Sequence, residues 1–150
     1  MLFKKTFRHE GAFAGQPEEY FNVVANISRW DRWNPNVHHM SLDTKFQRGA
    51  TGRSVPTRYT PTTFTIIEVI QNEKIVIEFR LPLGGLVLEY RFDQIDATTT
   101  SIKRIAIAKG PAAFLIYSMN AKSINDEFDE TLKRLEGQVE YERFERIKSA

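Results

Sequence analysis

Apolar and polar residues alternate along most of the first two thirds of the chain, and recur at three- and four-residue steps in the last third. Over residues 3–13, Phe3, Phe7 and Phe13 share one face with His9 and Gly11, while Lys4, Thr6, Arg8 and Glu10 take the other. This period of two predicts a half-buried strand, and Gly11 within it predicts a bend or bulge. Gly15-Gln16-Pro17-Glu18-Glu19 then opens a helix, with proline in the first turn and acids where the helix dipole favours them. Tyr20, Phe21, Val24 and Ile27 form its apolar stripe. Ser28 caps a second short helix that Asn34-Pro35 ends.

From residue 37 onward short strands follow, separated by turn residues: 37–43, 51–59, 64–70, 75–80, 86–93 and 98–108. Two of them alternate cleanly. Ile75, Ile77 and Phe79 oppose Val76, Glu78 and Arg80; Leu86, Leu88, Tyr90 and Phe92 oppose Val87, Glu89, Arg91 and Asp93. One covered face and one wet face indicate an antiparallel sheet. Residues 64–70 are apolar on both faces, so the pattern leaves their orientation open. After Gly110-Pro111, Ile124, Phe128, Leu132, Leu135 and Val139 mark a long amphipathic helix, with Asn120 or Ser123 as candidate breaks. The order is strand, two short helices, about six strands, one long helix, in a single domain over 1–150 with no internal linker.

Composition narrows the chemistry. A chain of 150 residues can bury a core without staples. With no cysteine, disulfides, thiolate zinc sites and iron–sulfur clusters are excluded. The N-terminal residues lack the apolar core of a signal peptide, and no stretch reaches the ~18 apolar residues of a membrane span. A cytoplasmic protein with no integral membrane segment is the expectation. The 21 basic and 19 acidic residues give a net charge of +2 without the clustering that phosphate contacts need, so no nucleic-acid partner is expected.

Three segments resemble the START-like (SRPBCC) superfamily, which includes polyketide cyclase/dehydrase-like proteins, lipid-transfer domains and birch-pollen-allergen relatives. They are the helix pair from Gln16 to Pro35, ending in Trp30-Asp31-Arg32-Trp33-Asn34-Pro35; the stretch 64–77; and Gly110-Pro111 followed by a helix through Thr131-Leu132-Lys133-Arg134-Leu135-Glu136. The resemblance implies an α+β helix-grip fold, with about seven curved antiparallel strands around the long C-terminal helix and a cavity between them. An empty apolar void of ~300 Å³ would cost about 7 kcal/mol at ~24 cal/mol per Å³. Such a space is therefore wet, partly collapsed or filled.

Candidate lining residues follow from the strand faces. They are His9 with Phe7; His38, Met40 and Leu42; Val55, Thr57 and Tyr59; Ile77 and Phe79; Leu88, Tyr90 and Phe92; and Met119, Ile124 and Phe128 from the helix. The expected guest is a small hydrophobic or amphipathic molecule, held for transport, sensing or storage. No cofactor is implied. His38 and His39 are adjacent on a strand and point apart, so no shared metal site is expected. An alternative is a cyclase/dehydrase-like enzyme moving protons through His9, His38, Tyr59 or Tyr90. A third is an interaction module with a closed cavity, and the two-sided strand 64–70 makes a homodimer a candidate assembly.

Overall fold

Strand β1 (Lys4–Ala14) is followed by α1 (Pro17–Ala25), a 3₁₀ helix (Ile27–Arg32) and strands β2 (Val37–Leu42), β3 (Thr51–Pro56), β4 (Thr62–Ile70), β5 (Lys74–Leu81), β6 (Gly84–Asp96) and β7 (Thr99–Lys109). Two helices complete the chain, α2 (Pro111–Met119) and α3 (Ala121–Ser149). The computed structural model describes residues 3–58 and 60–149. Tyr59 thus lies outside the described residues.

All seven strands form one antiparallel sheet in the order β1-β7-β6-β5-β4-β3-β2. β1 and β2 are consecutive in sequence but occupy opposite edges, so α1 and the 3₁₀ helix must cross the whole sheet. The curled sheet grips α3, whose Phe128, Thr131, Leu132, Leu135 and Val139 are buried. This is the helix-grip architecture expected from the sequence. Asn120 provides the break between α2 and α3, and its side-chain amide donates to the Ile116 carbonyl at 2.8 Å.

Register explains the faces. One inward row across the sheet is Phe7, Ala106, Leu88, Ile77 and Ile66; the next towards the α1 end is His9, Arg104, Tyr90 and Ile75. The ambiguity of residues 64–70 is resolved by a bulge between Ile66 and Glu68. Phe64 and Ile66 point inward before it, Ile67 is exposed at it, and Val69 packs on the core after it. A bulge adds one residue and reverses the alternation, which is why both faces read as apolar. At Gly11 the pairing of β1 with β7 is unbroken, so the expected bulge is absent there. Glycine instead accommodates the Phe13 ring, whose Cε2 would lie 2.6 Å from an added Cβ.

Side-chain bonds fix the crossing segment. Glu19 accepts the Gln16 backbone N–H at 2.9 Å, and also takes a forked pair of bonds from Arg143 at 2.8 and 3.0 Å and one from Arg146 at 3.2 Å. This ties the start of α1 to the last turns of α3. The Arg143 guanidinium holds the Glu19 carboxyl below the usual carboxylate range, with the Gln16 N–H and the charge of Arg146 acting in the same direction and burial opposing them. A lowered folded value means that this stabilisation is present above the ordinary carboxylate pKa and lost as pH falls through the folded one. Glu19→Gln is expected to cost about 1–2 kcal/mol near neutrality, since charge-assisted bonds are the ones lost. Urea titrations of both proteins at pH 7 and pH 3 should show that difference shrinking in acid.

Candidate functional site

The inner face of β7 reads Thr100, Ile102, Arg104, Ala106, Ala108, a run of buried positions with a single charge in it. Arg104 is only 4% exposed. Its register partners are His9 on β1 and Tyr90 on β6, so the three side chains stand side by side on three adjacent strands. From above, α3 lowers Phe128 onto them. The Arg104 guanidinium lies 4.1 Å from the Phe128 ring centroid and 5.5 Å from that of Tyr90. The His9 ring meets Phe128 edge-on at 4.4 Å. Behind Tyr90, the rings of Trp30, Trp33 and Phe92 close an aromatic wall at 5.9, 6.2 and 6.4 Å.

Polar capacity within this wall is unmet. Buried side-chain atoms without a hydrogen-bond partner, among the described residues, are His9 Nδ1, Trp33 Nε1, Tyr90 Oη and Arg104 Nε and Nη1. All of them belong to this one contiguous cluster. No ion pair joins Arg104 to a described carboxylate. A buried charge without a partner costs several kcal/mol after relaxation. A desolvated cation–π contact gives about 2 kcal/mol, and a hydrogen bond to a charged donor about 1.5–3 kcal/mol. The two rings offset much of that burial cost but supply no hydrogen-bond acceptor for Arg104 Nε and Nη1.

Protonation states follow from the surroundings. Burial lowers the His9 pKa below its ordinary value and the charge of Arg104 acts in the same direction, against Asp129 and Asn125 on α3. His9 is thus neutral at pH 7. Burial raises the Tyr90 hydroxyl pKa, opposed by the charge of Arg104 and by the approach of its N–H groups, so Tyr90 keeps its proton. That approach falls short of a well-formed hydrogen bond and leaves the hydroxyl without a partner. The cluster can donate hydrogen bonds from Arg104, Tyr90 and Trp33, while a neutral His9 can accept or pass a proton at Nδ1.

Of the expected lining residues, the structure brings Phe7, Met40, Ile77, Phe79, Leu88, Tyr90, Phe92 and Phe128 into the buried core, with Leu42 and Ile124 packed against it and His9 half-buried. His38 is not among them. A bulge between Val37 and His39 makes it the extra residue of β2, and both His38 and His39 face solvent. Thr57 is exposed beyond the end of β3. Met119 is 76% exposed. It follows Tyr117 by two residues on α2, which turns it roughly 200° from the ring that meets Phe7. The seam is also fuller than the sequence reading expects. Tyr20, Trp30, Trp33, Phe64, Tyr90 and Phe92 are fully buried in the hydrophobic core. Two surface concavities, of about 560 and 530 Å³, lie elsewhere, along Glu142, Glu145, Arg146 and Ser149, and beside Phe64, Phe79 and Lys109.

Sequence reasoning missed Arg104. Its signal was present, one arginine at an inward position of the alternating strand 98–108. Among the described residues no helix is long and apolar enough to cross a membrane.

Comparison with known proteins gives a consistent picture. A family model described as polyketide cyclase / dehydrase and lipid transport matches residues 5–140. None of the curated proteins compared matches the sequence. Among solved structures, the di-domain ARO/CYC StfQ from the steffimycin biosynthetic pathway superposes with a TM-score of 0.75 at 14% identity, covering 94% of this chain and 52% of that one. The present chain thus spans about half of that di-domain protein. The Zhui aromatase/cyclase from Streptomyces sp. R1128 gives 0.72 at 14% identity, covering 91% and 94%. A START superfamily protein from Mycobacterium smegmatis gives 0.73 at 14% identity, covering 91% and 97%. At such identities the likeness is one of fold.

Proposed function

Because the chain belongs to the polyketide cyclase/dehydrase and lipid-transport family, we propose that it binds a small hydrophobic or amphipathic molecule between the sheet and α3, with the polar end of the guest at Arg104 and Tyr90. The carrying observation is the set of unmet buried polar atoms clustered in an otherwise apolar seam. Ligand sites commonly combine an apolar wall with a few convergent polar groups. The wall is supplied by Phe7, Leu88, Ile77 and Phe128, the polar points by the cluster. Access is through the joint of α2 and α3. α2 buries only Ala113, its Leu115, Ile116 and Met119 are exposed, and Asn120 interrupts the helices directly before Ile124. Opening at this joint would uncover Phe128 and the cluster, at the cost of parting Phe114 from Phe3 and Tyr117 from Phe7.

The test is a panel of fatty acids, fatty alcohols and polycyclic aromatics, followed by melting temperature and tryptophan fluorescence. Trp30 and Trp33 adjoin Tyr90, so a guest changes their emission. A ligand at 100 times its Kd adds about 2.7 kcal/mol, which corresponds to a shift of roughly 5–10 °C at this chain length. A panel in which no compound moves either signal overturns the reading.

A second reading is a cyclase-like enzyme. It draws on the neutral His9 standing beside a cation and a protonated tyrosine, the arrangement a proton-transfer site needs.

A further inference from the structure

The binding reading leaves the head group of the guest open, and the cluster narrows it. We propose that the guest is an anion, a hydrophobic molecule ending in a carboxylate, and that Arg104 is the residue that selects it. This inference rests on the sheet–α3 binding reading above.

Three features of the site point to an oxygen anion. First, the unmet capacity is donor capacity. Arg104 and Trp33 can only donate, Tyr90 retains a proton to donate, and the acceptors are the Tyr90 oxygen and His9 Nδ1, so donors outnumber acceptors. A carboxylate accepts about four hydrogen bonds and donates none, whereas an alcohol accepts at most two and brings a donor of its own. Second, the Arg104 guanidinium is a fork of N–H donors matched to the oxygens of a carboxylate. Nε and Nη1 lie on different edges of the guanidinium, so each edge retains an unmet donor. Third, no carboxylate among the described residues forms an ion pair with Arg104. Asp129, the carboxylate that acts on His9 from α3, is exposed and forms no ion pair with Arg104. The Phe128 and Tyr90 rings against the guanidinium exclude water and strengthen whatever charge pair forms there. A cationic guest is rejected by the same field.

The experiment compares dodecanoate, dodecanol and dodecylamine, and 2-naphthoate with 2-naphthol, by calorimetry and thermal shift on the full chain. The acids are expected to bind at least about tenfold more tightly than the matched alcohols, as charge-assisted bonds are roughly twice as strong as neutral ones. Dodecylamine is expected not to bind. In Arg104→Met the preference for acid over alcohol should vanish, and the ligand-free variant should melt several degrees higher, because a buried unpaired charge has been replaced by an apolar side chain of similar length. Equal binding of acid and alcohol to the wild type overturns this inference and leaves the binding reading standing. Binding of no compound overturns both. The wild-type comparison decides the matter even if Arg104→Met fails to fold.

Discussion

Trp30→Ala is expected to lower the free energy of unfolding by about 4 kcal/mol, within the range of about 3–5 kcal/mol for removing a large buried aromatic. Trp30 is 1% exposed and packs on Trp33 at 5.2 Å and on Tyr90 at 5.9 Å. Its indole N–H donates to the Val24 carbonyl at 2.7 Å in a buried bond. That carbonyl lies in the last turn of α1, so truncation leaves a cavity under the sheet and an unsatisfied acceptor at a helix end. Both losses fall on the segment that must cross from β1 to β2. Urea unfolding followed by circular dichroism should show an earlier midpoint at unchanged slope, and near-ultraviolet ellipticity should report a loosened Tyr90. A cost below about 2 kcal/mol would show that the crossing segment anchors itself by other contacts.

Strand faces were legible wherever alternation ran undisturbed. β5 and β6 place inward the residues that period two assigns to the core, Ile75, Ile77 and Phe79 with Leu88, Tyr90 and Phe92. Reading failed where an extra residue entered. Period two puts His38 on the face of Met40, yet the β2 bulge turns His38 outward while Met40 stays buried at 1% exposure. In β4 the bulge fell inside an apolar run, so the same insertion produced ambiguity rather than error. A bulge is set by the partner strand's register, and no property of the His38 or Ile67 side chain announces it.

The site was less legible than the fold, for a different reason. His9 and Tyr90 are polar groups on apolar faces and stood out. Arg104 did not, because arginine on a strand ordinarily means a wet face, and its flanking residues Lys103 and Ile105 blur the alternation. Only the register, with His9 on one side and Tyr90 on the other, shows that it is enclosed. Nor does composition report how far the seam closes. Eleven phenylalanines are compatible with a lined chamber or with a filled one, and the packing of Phe128 over Arg104 determines which.

Gly110→Ala is expected to cost at least about 3 kcal/mol, although the residue lies outside the apolar core and the change adds a single methyl group. Gly110 has φ 97° and ψ 157°, a region essentially confined to glycine that costs other residues about 1–3 kcal/mol. A Cβ there would also lie 2.0 Å from the Leu83 carbonyl oxygen and 2.8 Å from the Gly84 Cα, both backbone atoms that cannot swing aside. The crossing is tight because three elements meet at it. The Gly110 N–H donates to the Phe3 carbonyl ahead of β1, its carbonyl accepts from Phe114 in the first turn of α2, and the β5–β6 turn passes against it. Displacing this point redirects α2, and with it the joint at Asn120 and the descent of Phe128 onto Arg104. On the proposed binding function, the variant should lose ligand affinity as well as stability. Gly137→Ala provides the contrast. That glycine is exposed in the middle of α3, and an added Cβ would meet nothing within 4 Å. The substitution restores helix propensity and restricts the unfolded chain, so it should stabilise by about 1 kcal/mol. Melting curves of the two variants should move in opposite directions; a Gly110→Ala protein as stable as the wild type would mean that the turn at Leu83 can yield, and that the path of α2 is not fixed by this crossing.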